Sequence, residues 1–132
     1  MHRAFSITVL MLFVLGTRAL AQEPDFASYW TSVSANPDCK PADYADFVLF
    51  TCEKEMTMWY FTKPNHPAHP GVIRRTISQQ PDGSWAAQEE GHSFASDAAQ
   101  PAFKAWLAQI ADLDRQMRDS IAAQQAQVRP KQ

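Results

Sequence analysis

The chain has 132 residues with 12 basic and 14 acidic side chains, which gives a formal net charge of −2 at pH 7. Nucleic acids and anionic membrane surfaces both attract clustered lysine and arginine, and the one adjacent basic pair here is Arg74-Arg75. Composition therefore argues against both classes of partner, and the length allows one domain with one core.

The first 21 residues have the pattern of a secretory signal peptide. Met1 to Arg3 form a basic start, Ala4 to Leu15 an apolar run, and Ala19-Leu20-Ala21 a small-residue cleavage site. The apolar run is too short to span a membrane, which requires about 20 residues. We expect a periplasmic or secreted chain, without a membrane span, that starts near Gln22 and carries a net charge of −4.

Two cysteines, Cys39 and Cys52, are separated by 12 residues. An isolated pair in a small exported chain is usually a structural disulfide, and the spacing lacks the C-x-x-C arrangement of redox-active pairs. The sequence therefore predicts a Cys39–Cys52 bond that pins the N-terminal part of the domain to the rest.

The segment that follows the cleavage site predicts a short N-terminal helix. Phe26, Tyr29, Trp30 and Val33 recur at helical spacing, and Asp25 is a suitable cap. We expect these aromatic side chains to pack into the core, although two aromatics in three residues are also compatible with a recognition patch. Residues 34–46 are rich in turn signals and are predicted to form a loop that contains Cys39.

Four β-prone segments follow. Phe47 to Cys52 and Met56 to Thr62 form either a hairpin that turns at Lys54 or one long bulged strand, and the hairpin is favoured. Gly71 to Gln79 and Ser84 to Phe94 are predicted strands joined by the strong turn signal Pro81-Asp82-Gly83.

The C-terminal segment predicts a long amphipathic helix from about Gln100 to about Gln124. Its apolar residues recur at steps of three and four and form one stripe: Phe103, Trp106, Leu107, Ile110, Leu113, Met117 and Ile121. We expect residues 22–125 to form a single α+β domain, with residues 126–132 a frayed polar tail. The predicted architecture is a small antiparallel sheet of three or four strands against this helix, with the short N-terminal helix beside it.

The loop between the second and third predicted strands, Lys63 to Gly71, is the best candidate for a binding surface. Three prolines stiffen it, so it would present Lys63, Asn65, His66 and His69 at a low entropic cost. The alternative is a stiff crossover that only joins two strands.

Two other functions remain open. His66 and His69, with His92 from the last strand, could bind a metal, although no helical ligand motif is present and no cofactor is expected. A small hydrolase could combine His92 with Glu53 or Asp46, but no nucleophile elbow or phosphate loop occurs.

The segment from Trp59 to Ile73, WYFTKPNHPAHPGVI, resembles a segment of small exported bacterial proteins of unassigned function. The resemblance covers about 15 of the 132 residues and implies export but no activity, so it assigns no site residue. The favoured interpretation is a non-enzymatic periplasmic module that binds a protein partner, such as an envelope accessory factor, an inhibitor or an immunity protein.

Overall fold

A computed structural model describes residues 23–128, apart from the side chains at positions 114, 118 and 122. The predicted signal peptide lies outside the described residues, as do residues 129–132 of the predicted tail. Within residues 23–128 there are two α-helices and five strands, in the order α1 (Phe26–Ser34), β1 (Cys39–Asp43), β2 (Phe47–Cys52), β3 (Thr57–Thr62), β4 (Gly71–Gln79), β5 (Trp85–Ser93) and α2 (Gln100–Val128).

The five strands form one sheet in which sequence neighbours are spatial neighbours and every pair is antiparallel. The α+β class is confirmed, but the prediction of three or four strands is too low. The additional strand is β1, which lies where a loop was expected. Pro41 favours a loop when the local sequence is considered alone, yet an edge strand tolerates proline because one side of its backbone has no ladder partner.

The predicted hairpin between β2 and β3 is confirmed, and the bulged single strand is not formed. A short 3-10 turn from Glu53 to Glu55 reverses the chain, and Met56 completes the reversal in the left-handed region with φ of 49°. The hydroxyl of Thr57 donates to the carbonyl oxygen of Glu55 at 2.9 Å, which stabilises this glycine-free turn.

The hairpin between β4 and β5 is confirmed as well. Gly83 occupies the left-handed region at φ of 86°, and the carboxylate of Asp82 accepts hydrogen bonds from the backbone and hydroxyl of Ser84. The Pro-Asp-Gly signal therefore acts through the two mechanisms that make it a turn, a permissive glycine and an aspartate that bonds the local backbone.

Helix α1 covers one face of the sheet. The carboxylate of Asp25 caps it by accepting from the N–H of Ser28 at 2.8 Å. Val33 is buried in a cluster with Phe50, Phe61 and the disulfide, so the helix is anchored on the first three strands and on β4.

Helix α2 begins on the opposite face of the sheet, where Phe103, Trp106 and Ile110 are buried. The approach is close because a Cβ at Gly91 or Gly71 would lie 2.8 or 3.0 Å from the ring of Phe103. These two glycines therefore let the helix reach the sheet.

The second half of α2 departs from expectation. The helix runs to Val128, past the predicted end near Gln124. Leu113, Met117 and Ile121 continue the apolar stripe but are 45%, 58% and 48% exposed, so the sheet covers only the first half of it. Among residues 23–128, no helix combines the length and the apolarity needed to cross a membrane.

Replacing Trp106 by alanine should lower the free energy of unfolding by about 3–5 kcal/mol, because the ring is 6% exposed and would leave a cavity under α2. Gln109→Ala, an exposed change on the same helix, should stay within about 0.5 kcal/mol. Urea unfolding measures both. Equal, small changes would contradict this placement of the helix.

The structure contains the predicted Cys39–Cys52 disulfide, between residues that face each other in the β1–β2 ladder. Protein purified without reductant should have no thiols that react with an alkylating reagent under denaturing conditions. Reduction should lower the free energy of unfolding by about 3 kcal/mol, because the bond no longer restricts the entropy of the unfolded chain between two residues 13 positions apart. Two alkylated thiols in the unreduced protein would contradict the bond.

Candidate functional site

An open groove of about 510 Å³ lies between α1 and the proline-rich loop that joins β3 to β4. Its surface is mainly apolar. The residues that form it come from the helix, from the sheet and from the loop: Phe26, Ala27, Trp30, Thr31, Val48, Thr62, Lys63, Pro64 and His69. Two of the four predicted loop residues, Lys63 and His69, are therefore part of its wall.

The helical wall of the groove is aromatic. The rings of Phe26 and Trp30 meet Phe61 edge to face, with centroids 5.8 and 5.2 Å apart, and Trp30 meets Phe50 in the same way at 5.3 Å. Trp30 is nevertheless 38% exposed. Core packing and a recognition patch were the two interpretations of this aromatic segment. They are compatible, because the same side chains pack on the core and border an open groove.

Backbone hydrogen bonds within the loop hold the opposite wall. The N–H of His66 donates to the carbonyl oxygen of Lys63 at 2.9 Å, and the N–H of His69 donates to that of His66 at 3.0 Å. Ala68 is fully buried between these turns. Two successive turns and three prolines therefore fix the loop before any ligand arrives.

His69 connects the loop to both the sheet and α1. Its Nδ1 lies 2.8 Å from the hydroxyl and 3.2 Å from the carbonyl oxygen of Thr62, and its ring meets Phe26 edge to face at 5.4 Å. The buried Thr62 hydroxyl also accepts the N–H of Gly71 at 2.9 Å. This network orients the imidazole at the groove and ties both ends of the loop together.

Lys63 supplies the cationic group at the rim of the groove. Its Nζ donates to the carbonyl oxygen of Tyr44 at 2.5 Å and lies 2.6 Å from a carboxylate oxygen of Asp43. The cation is thus already paired with the β1–β2 connection. Its contribution to the groove is therefore the apolar stem rather than a free charge.

Asn65 and His66, the other two predicted loop residues, contact other parts of the protein. The amide of Asn65 donates to the carbonyl oxygen of Ala45 at 3.0 Å. The side chain of His66 is only 8% exposed, packs on Trp106 with centroids 4.7 Å apart, and accepts the N–H of Ala68 at Nδ1. Both side chains hold the loop in place, and neither is in the wall of the groove.

The histidines of the metal hypothesis have separate environments. His92 stacks on Tyr29 at 4.9 Å and lies 3.1 Å from Glu90, whereas His69 bonds Thr62 and His66 packs on α2. Across the described part of the chain, no three histidine, cysteine or acidic side chains are grouped closely enough to hold a metal ion.

The composite catalytic site considered from the sequence requires an acidic side chain beside His92. The carboxylate of Asp46 lies 3.9 Å from Nε2 of His66, while Glu90 is the acidic neighbour of His92. The pairs that the structure brings together are therefore different from the proposed pairing of His92 with Glu53 or Asp46.

The chain matches no family model, no curated protein and no solved structure in the comparisons with known proteins.

The contact between the loop and α2 depends on pH through His66. Burial lowers the pKa of this imidazole below its ordinary value of 6.5; Asp46 opposes the shift and His69 adds to it. The neutral ring also suits the hydrogen bond from the N–H of Ala68, because a protonated Nδ1 could not accept it.

The folded protein should consequently lose stability as the pH falls below about 6.5. The unfolded chain takes up a proton at His66 there, whereas the folded chain resists it until its own, lower pKa is reached. In urea unfolding between about pH 7.5 and about pH 5.5, His66→Asn should show a smaller decrease than the wild type. Subtracting the two curves of unfolding free energy against pH removes the contribution of the carboxylates, which both proteins share. An identical pH dependence in the two proteins would contradict the assignment of the effect to His66.

Proposed function

We propose that this protein is a non-enzymatic, exported module that binds a protein partner of the cell envelope in the groove between α1 and the proline-rich loop. The observation that carries the proposal is the groove itself, an open apolar surface with two rigid walls. An envelope accessory factor, an inhibitor and an immunity protein are the kinds of module that it would suit.

The walls have the composition of a protein-binding surface. Phe26 and Trp30 form one side and Pro64 the other, and aromatic side chains are the ones most often responsible for affinity in protein interfaces. The groove is open to solvent, so it can accept apolar side chains from an extended segment or a loop of the partner. Such a contact favours a macromolecular ligand over a small molecule, which generally requires enclosure.

Preorganisation supports the same function. The loop is fixed by its own turns and by the bonds of Asn65 and Lys63 to the β1–β2 connection. Little conformational entropy remains to be lost on binding, so the apolar contact can contribute to affinity in full. A loop that only joined two strands would not require a second wall of half-exposed aromatic rings.

Binding also explains the polar groups of the groove better than catalysis does. Thr62, Lys63 and His69 each bond other parts of the protein, and these bonds set the shape of the wall. The metal-binding and hydrolase alternatives have less support, because the side chains on which they depend are dispersed among separate contacts.

The substitution Ala27→Arg tests the groove directly. Ala27 is exposed on α1 and in the groove wall, so a long charged side chain there should obstruct the groove without disturbing the core. Ser32→Arg is the matched control, since Ser32 is exposed on the same helix and is not in the groove wall. Both variants should unfold within about 0.5 kcal/mol of the wild type.

A photo-crosslinking amino acid at Thr31, in the groove wall, should then capture a discrete envelope protein in cells. Ala27→Arg should reduce this adduct by roughly ten-fold or more, which corresponds to about 1.4 kcal/mol of binding energy. Ser32→Arg should leave it unchanged. Equal adduct from both variants, or none from the wild type, would contradict binding at the groove.

A further inference from the structure

The second half of α2 presents an exposed apolar stripe that is separate from the groove. Leu113, Met117, Ile121 and Val128 are 45%, 58%, 48% and 81% exposed. They continue the helical face that is buried under the sheet at Ile110. In proteins most of the stability of a helix comes from packing of its apolar face, and this part of the face is left uncovered.

The spacing of the stripe is symmetric about Met117. Leu113 and Ile121, the two exposed neighbours of Met117 in the stripe, lie four residues to either side of it. At about 3.6 residues per turn, all of these positions are on one face of the helix. When two copies of the helix lie antiparallel, this symmetry places the apolar positions of one opposite the apolar positions of the other.

We propose that two copies of this chain associate through the second halves of their α2 helices, packed antiparallel with Met117 at the two-fold axis. Leu113 of each copy then contacts Ile121 of the other. Such an interface is isologous, so one surface supplies both sides of the contact. It also covers the part of the apolar face that the sheet leaves open.

The surface next to the stripe has a shape that completes this contact. A concave region of about 380 Å³ lies between α2 and the start of β2, and Phe47, Ile110 and Leu113 are among its lining residues. In the antiparallel arrangement it faces the part of the second copy that follows Ile121. The same chain thus offers a protruding helix and a recess for it.

Charge favours a second copy over a strongly charged partner. Residues 111–128 carry three aspartates and two arginines, so two such segments repel each other only weakly. Asp112 lines the recess, and Arg115 on the same helix pairs with it at 2.6 Å. This pairing offsets the negative charge that the recess would present to the second copy.

A single engineered cysteine tests the two-fold axis. In the full chain, exported and purified without reductant, the two native cysteines are paired with each other, so Met117→Cys adds the only free thiol. It should form a covalent dimer spontaneously at micromolar concentration. Asp119→Cys is the matched control, because Asp119 is exposed two residues further along and points to the opposite face of the helix. It should form at least about ten-fold less covalent dimer, since its thiol faces away from the second copy.

Sedimentation of the wild type should in parallel show a concentration-dependent dimer. Leu113→Glu should weaken that dimer by about ten-fold or more, because it places a charge opposite Ile121 of the second copy. Ala126→Glu, on the face of α2 opposite the stripe, should leave the dimer intact. Ala27→Arg, which obstructs the groove, should also leave it intact, so the two proposals can fail independently. A wild type that stays monomeric, equal crosslinking by the two cysteine variants, or linkage of Met117→Cys to a different protein would overturn the proposal.

Discussion

The structure depends on the central strand β3 being apolar on both of its faces. Phe61 points to one side of the sheet and is fully buried, while Tyr60 points to the other side and is 4% exposed. A sheet with two apolar faces must be covered twice, so the chain requires a helix on each side. One is short and precedes the sheet, and the other is long and follows it.

The two helices cover the sheet to different extents, and both candidate surfaces follow from that difference. Helix α1 has only nine residues, and its aromatic side chains Phe26 and Trp30 remain partly exposed where they border the groove. Helix α2 has 29 residues, which exceeds what the sheet can cover, so its apolar stripe continues into solvent. A short helix leaves a groove, and a long one leaves a projecting face.

Local patterns predicted most of the fold because each depends on nearby residues. The turn at Asp82 and Gly83, the cap at Asp25 and the stripe around Trp106 all have short-range signals. Strand β1 was missed because Pro41 is a breaker except at an edge, and edge position is a property of the whole sheet. The composition of the proline-rich loop was enough to identify it as a candidate site. The burial of His66 under α2 could not be predicted in this way, because it depends on a contact with Trp106, far along the chain.

The position of α1 in the chain has a consequence for the order in which the domain folds. The two hairpins close over short distances, whereas Tyr29 must meet His92 across 63 residues. Loop closure costs more entropy as the separation grows, so α1 is expected to dock after the sheet has formed. Because α1 is one wall of the groove, a chain in which α1 has not docked lacks the groove. A partner that recognises the groove would accordingly distinguish the finished domain from its folding intermediates.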